Sequence, residues 1–120
     1  MASNAPGELQ ELRDLIRAFV VERDWDKFHT PKNLAVSLNV EAGELLEPFQ
    51  WSTTGGLDEL ADPQLLHVRH EAADVLIYLI RLADKLGIDL GEAVREKLEL
   101  NKLKYPADIV RGSARKYTEY

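Results

Sequence analysis

The segment Val40–Trp51, VEAGELLEPFQW, sets Glu41, Glu44 and Glu47 into an otherwise apolar run, and HEAADVLIYLI adds Glu71 and Asp74. A carboxylate is costly to bury without a partner, so these acids ask for an explanation. At helical spacing Leu34, Leu38 and Leu45 form one stripe, and Glu41, seven residues after Leu34 and four before Leu45, falls inside it. Glu44 sits at the edge of the stripe, and Glu47, roughly a third of a turn beyond Glu41, is expected to be solvated. Glu71 and Asp74 share one side of the following helix with Tyr78. No Lys or Arg stands three or four residues from Glu41, Glu44, Glu71 or Asp74. The acids instead form like-charge i,i+3 pairs, each destabilising by about 0.2–0.5 kcal/mol. A solvated, ion-paired face would carry the missing cations. A bound Mg²⁺, with Mn²⁺ as a substitute, fits an all-oxygen set better.

A rival set uses His67 and His70, each four residues before an acid. Imidazole would suit zinc or iron. A ferritin-like di-iron bundle needs Glu-x-x-His, whereas this chain has Glu-x-x-Glu and Glu-x-x-Asp. The histidines are expected to pair locally with their acids on the helix surface.

These residues need helices to position them. The first is expected from about Pro6 to Glu22, on the 3–4 spacing of Leu9, Leu12, Leu15, Ile16, Phe19 and Val20. The second starts with Thr30 as N-cap and Pro31 in the first turn, and ends near Pro48 to Trp51, before the turn signal STTGG. Asp62–Pro63 repeats that start for a third helix, which runs to Leu86 and stops at Gly87. Asp89 to Glu92 reads as a capping box for a fourth, which Pro106 ends. The tail from Ala107 to Tyr120 shows no clear period. If the second and third helices form an antiparallel hairpin, their two acidic pairs meet at one height. The expected fold is all-α, a four-helix bundle in a single domain spanning residues 1–120. The third helix is apolar on two sides (Val68, Ala72, Val75, Leu79, Leu82 and Leu86 against Leu66, Ile77 and Ile80), which implies a homo-oligomer built around it.

The bulk properties exclude several classes. The chain has 120 residues, a net charge of −6 and no cysteine, so disulfides and thiolate metal sites are ruled out. An acidic protein repels nucleic acid polymers, but small polyanions remain open because metals and local basic groups override net charge. No apolar run approaches the ~20 residues of a membrane span. The N-terminus lacks a signal-peptide pattern, which makes the cytoplasm the expected compartment.

Other groups are candidates for a binding site. RDWDKFHTPKN supplies Trp25, Phe28 and His29 in one short connection, and Trp51 ends the second helix. These aromatics either cap the core or form a base-stacking wall. Lys97, Asn101 and Lys104 share a face of the fourth helix, a solvated surface or a contact to base and phosphate. Arg111, Arg115 and Lys116 make the densest basic cluster, a candidate phosphate clamp.

EAGE at Glu41–Glu44 followed by EAAD at Glu71–Asp74 resembles the paired acidic motif of the MazG-like all-α nucleotide pyrophosphohydrolases. ERDWDKFHTPKNL, EAGELLEPFQW, DVLIYLIRLA and NKLKYPADIVRGSARKY look like segments of the family's dCTP pyrophosphatase (dCTPase) branch, so the likeness runs from Leu9 to Tyr117. The resemblance implies a tetramer, a dimer of dimers, that hydrolyses a nucleoside triphosphate between its α and β phosphates. It implies Glu41, Glu44, Glu71 and Asp74 as Mg²⁺ ligands, with Trp25, His29, Trp51, Tyr78 and Asn101 around the nucleoside. Lys97, Lys104, Tyr105, Arg111, Lys116 and Tyr117 are looser assignments near the phosphates. One departure concerns the base: vertebrate members carry a histidine nine residues before the first tryptophan, and here that position is Ile16.

The expected substrate is dCTP or a 5-modified dCTP, with nucleotide-pool cleaning as the role. Glu41 or Glu44 would activate water for in-line attack on the α-phosphorus. The same chemistry on dUTP or another non-canonical nucleotide is one alternative. A non-catalytic helical assembly module is the other.

Overall fold

The computed structural model describes residues 7–119, without the side chain of Tyr117, and every regular element among them is helical. Helix α1 is Glu8–Glu22, α2 Pro31–Leu46, α3 Asp62–Leu86, α4 Leu90–Lys104 and α5 Ala107–Val110, with short 3-10 turns at Asp26–Phe28, Glu47–Phe49, Leu57–Glu59 and Tyr117–Glu119. The chain divides into two compact units between Ile88 and Asp89.

In the first unit the helix ends follow from local chemistry. The expected start of α1 at Pro6 lies outside the described residues; the helix is capped at Gly7, whose N–H donates to Gln10 Oε1 at 3.1 Å. It closes with Asp24 at φ 55°, Trp25 N–H donating to the Val20 carbonyl at 3.1 Å and Asp24 N–H to that of Val21. That is a Schellman closure made with Asp in place of glycine, and it aims the chain at Trp25. Thr30 caps α2 as expected, its hydroxyl accepting from Asn33 N–H at 3.2 Å. Helix α3 begins one residue earlier than the sequence suggests: Ala61 is the N-cap, with Asp62 and Pro63 already in the first turn. Gly87 (φ 68°) ends it, and Ile88 N–H returns to the Ala83 carbonyl at 2.8 Å.

Helix α2 packs most extensively on α3, with α1 on α3 next. Among the described residues Val20, Leu34, Ile80 and Ala83 are the buried apolar ones. Much of α3 remains uncovered: Leu66, Leu76, Ile77, Leu79 and Leu86 are exposed in the single chain. No helix among the described residues is long and apolar enough to cross a membrane.

In the second unit Asp89 caps α4, accepting from Glu92 N–H at 2.9 Å. The helix stops at Lys104, two residues before Pro106. The tail holds the four-residue helix α5, which its sequence did not announce.

Candidate active site

Helix α2 carries Glu41 and Glu44 to α3, where they meet Glu71. One carboxylate oxygen from each lies within 4.8 Å of the others. The register is antiparallel: His67 reaches Glu44 and, a turn later, Glu71 reaches Glu41. His67 Nε2 donates to the Glu44 backbone carbonyl at 3.3 Å, so this histidine bridges the two helices instead of pairing with Glu71 on its own helix. Glu41, Glu44, Glu71 and Asp74 are half-buried, whereas Glu47 is exposed, as the helical phase requires.

The cluster is short of positive charge. Among the described residues, Glu41 Oε2 and Glu71 Oε2 are buried with no hydrogen-bond partner. The Glu41 carboxyl is pushed up from its ordinary range by its hydrogen bond to Glu71, then by burial and the charges of Glu71 and Asp74. Glu44 is pushed up by its hydrogen bond to Glu41 and by the charge there. Like charges packed together without a cation push carboxyl groups in this direction. Three converging glutamates, two of them with an orphaned oxygen, fit a hard divalent ion, and every donor is oxygen, which suits Mg²⁺ or Mn²⁺.

Asp74, one turn after Glu71, faces a cavity of about 440 Å³ in the same unit. Leu15, Ile16, Phe19 and Val20 of α1 wall one side, Ile77 and Tyr78 of α3 another, and Trp25 and His29 close it from the connection. Phe19 and Trp25 meet edge to face, centroids 5.7 Å apart. Ile16, the position of the departure from the vertebrate pattern, is part of this wall. Trp25, His29 and Tyr78 thus gather beside Asp74. Trp51 does not join them: it is 90% exposed at the end of the Glu47–Phe49 turn.

Sequence reasoning missed Arg81. Only 6% exposed, it lines the cavity, pairs with Asp26, donates from Nη1 to Asp84 at 3.3 Å and from Nε to His29 Nδ1 at 3.2 Å. The signal was present, since Arg81 follows Asp74 by seven residues and Tyr78 by three, on one helical face.

The remaining candidates belong to the second unit. Lys97, Asn101 and Lys104 lie at helical spacing on α4, with Asn101 half-buried and both lysines exposed. Tyr105, the C-cap of α4, is exposed, as are Arg111 and Lys116 in the tail. The side chain of Tyr117 lies outside the described residues.

The sequence model of the MazG-like family matches residues 36–120. Human dCTP pyrophosphatase 1 is 44% identical over 113 residues, covering 92% of this chain and 66% of the human protein, so the chain spans just under two thirds of that relative's length. The dATP/dGTP diphosphohydrolase of Cyanophage S-2L is 32% identical over 110 residues, 92% of this chain and 89% of the phage protein. The crystal structure of a pyrophosphatase from Archaeoglobus fulgidus superposes with a TM-score of 0.78 at 44% identity, covering 88% of this chain and 99% of the other.

Proposed function

The chain belongs to the MazG-like family, and on that premise we propose that it is a divalent-metal-dependent nucleoside triphosphate pyrophosphohydrolase, yielding the monophosphate and pyrophosphate. The observation that supports this most is the adjacency of the orphaned glutamates and an aromatic cavity, joined through Asp74. One site is built for a hard cation and its phosphate ligands, the other for a flat ring. Relatives named for dCTP and for dATP/dGTP hydrolysis share most of this chain.

Glu41, Glu44 and Glu71, with Asp74 at their edge, would hold the ion, which supplies a Lewis acid and charge neutralisation at phosphate oxygens. Glu41 or Glu44 accepts a proton from the attacking water. The oxygen of that water attacks the α-phosphorus while the bond from that phosphorus to the bridging oxygen breaks, and pyrophosphate leaves. Trp25 and Tyr78 offer ring faces for the base, and the apolar α1 wall excludes water around it. Lys97, Asn101, Lys104, Arg111, Lys116 and Tyr117 of the second unit are kept as candidate nucleotide contacts on the family resemblance alone.

The substrate proposed first is dCTP or a 5-modified dCTP. Ile16 in the cavity wall favours a second reading, the same chemistry on dUTP or another nucleotide, because an isoleucine makes no hydrogen bond to a base edge. The exposed leucines and isoleucine of α3 support a homo-oligomer, a tetramer by family resemblance. A panel of natural and modified nucleoside triphosphates with Mg²⁺, read out as pyrophosphate and monophosphate, tests the proposal. Turnover of none of them would refute it, and early orthophosphate would place the cleavage elsewhere.

A further inference from the structure

The cavity's cation and its histidine meet at one hydrogen bond, and the chemistry of that bond decides where a proton sits. Arg81 Nε lies 3.2 Å from His29 Nδ1. A guanidinium offers only donors and stays charged, so Nδ1 must be the acceptor and carry no proton. A neutral imidazole that accepts at Nδ1 has its N–H at Nε2. The donor itself is held in place: Arg81 pairs with Asp26 of the same connection as His29 and with Asp84 on α3, and Asp84 accepts from Arg17 Nε of α1 at 2.7 Å. The charged groups acting on His29 are Arg81 and Lys85 from α3, which oppose an imidazolium, and Asp26 from its own segment, which favours one. Burial opposes it most, and the balance holds His29 below its ordinary range. Asp74 and Tyr78 line the same cavity.

We infer that Arg81 is a positioning residue that locks His29 in the neutral Nε2–H tautomer, so that His29 offers an N–H donor to a base bearing a carbonyl oxygen or unprotonated ring nitrogen. An exocyclic amine in the same place would set one donor against another and leave both unsatisfied. The recognition half of this inference rests on the function proposed above, whereas the position of the proton does not.

The test begins with ¹⁵N–¹H spectra of the histidine rings in the full-length protein without nucleotide, between about pH 5 and about pH 8. Wild-type His29 should show the single Nε2–H tautomer and a midpoint below 6.5. In Arg81→Met the tautomers should mix and the midpoint should rise, since Asp26 remains while the cation is gone; Arg81→Lys should restore part of both. An Nδ1–H tautomer in the wild type overturns the inference, even if Arg81→Met does not fold. An unchanged tautomer and midpoint in a folded Arg81→Met does the same. For recognition, Arg81→Met and His29→Ala should each raise KM for a hydrolysed nucleotide about three- to tenfold with kcat nearly unchanged, and the double variant should be no worse than His29→Ala alone. Additive losses, or losses in kcat alone, would assign Arg81 a structural role only. If no nucleotide is hydrolysed, the function falls while the ring spectra still decide the tautomer.

Discussion

Two groups of carboxylates gather against α3, a few turns apart, in opposite electrostatic states. Near the middle of the helix Glu71 faces Glu41 and Glu44 across α2, with orphaned oxygens on Glu41 and Glu71. Near its end Asp84 is held by Arg17 and Arg81, and Asp26 by Arg81 and Lys85. The Arg17 hydrogen bond pulls the Asp84 carboxyl below its ordinary range despite burial, and the Lys85 hydrogen bond does the same for Asp26. Glu41 and Glu44 move the other way. The charge of a carboxylate at the end of α3 is neutralised within the fold and braces α1, α3 and the connection carrying Trp25 and His29. The charge in the middle has no such partner among the described residues. Acidic clusters are common on helices, and what separates a brace from a ligand set is whether the cations come with it.

The largest expected effect breaks the glutamate cluster of that comparison. Glu41→Gln should lower pyrophosphate release by at least about 10²-fold, because removing a ligand should cost no less than disturbing its supporting shell. Its thermal midpoint without metal should hold or rise, since a like charge is gone. A fall in melting temperature together with unchanged turnover would make the glutamates structural.

Asp84→Ala attacks the brace. Asp84 retains 9% of its side-chain exposure and leaves Arg81 short of a buried partner, so the loss should be about 3 kcal/mol in urea unfolding. Retained stability would show that the pairing contributes only orientation.

The two groups also give opposite pH responses. Asp84 and Asp26 have folded pKa values below the ordinary 3.8, so their stabilisation is present above that value and is lost as pH falls through the folded one. Glu41 and Glu44 lie above the ordinary 4.5, so their ionisation opposes folding and stability declines as pH rises through their folded values. Without divalent metal, calorimetry should find maximal stability in mildly acidic solution. Adding Mg²⁺ should stabilise the protein more above neutrality than near pH 5, with a gain in unfolding free energy of about 2.7 kcal/mol at a hundred times Kd. A metal shift equal at both pH values would argue against glutamate ligands.

The smallest effect concerns a third carboxylate that resembles the brace but uses backbone donors. Glu59 accepts from Thr53 and Thr54 N–H at 2.8 Å each and from Gly55 N–H at 3.2 Å, which holds its pKa at about 2. Gly55 (φ 75°) leaves no room for a side chain, as a Cβ there would lie 2.7 Å from the Phe49 ring. Glu59→Gln should speed amide exchange at Thr53–Gly55 while leaving the global midpoint nearly unchanged. Unchanged exchange would mean that the turn holds without the carboxylate.

The acidic pairs were legible before any coordinates because helical phase needs only spacing. Glu41 and Glu44 fall toward the leucine stripe, Glu47 does not, and no Lys or Arg stands three or four residues from Glu41, Glu44, Glu71 or Asp74. Antiparallel pairing of α2 and α3 was a condition the sequence left open, and the structure meets it. The caps at Thr30, Gly87 and Asp89 were legible for a similar reason, since each satisfies orphaned backbone groups next to it in sequence. The Asp24 closure of α1 was not, because Asp seldom takes the left-handed conformation and nothing local announces it.

Sequence alone therefore determined which side chains share a helical face and which charges lack a local partner, because both depend on contacts within a turn or two. Tertiary structure decided the rest. It put Arg81 against Asp26 and His29, more than fifty residues away, turned His67 onto the Glu44 carbonyl, and left Trp51 in solvent while Trp25 joined the cavity. Such contacts depend on how helix ends and connections place one element against another, which no spacing rule within a single element encodes.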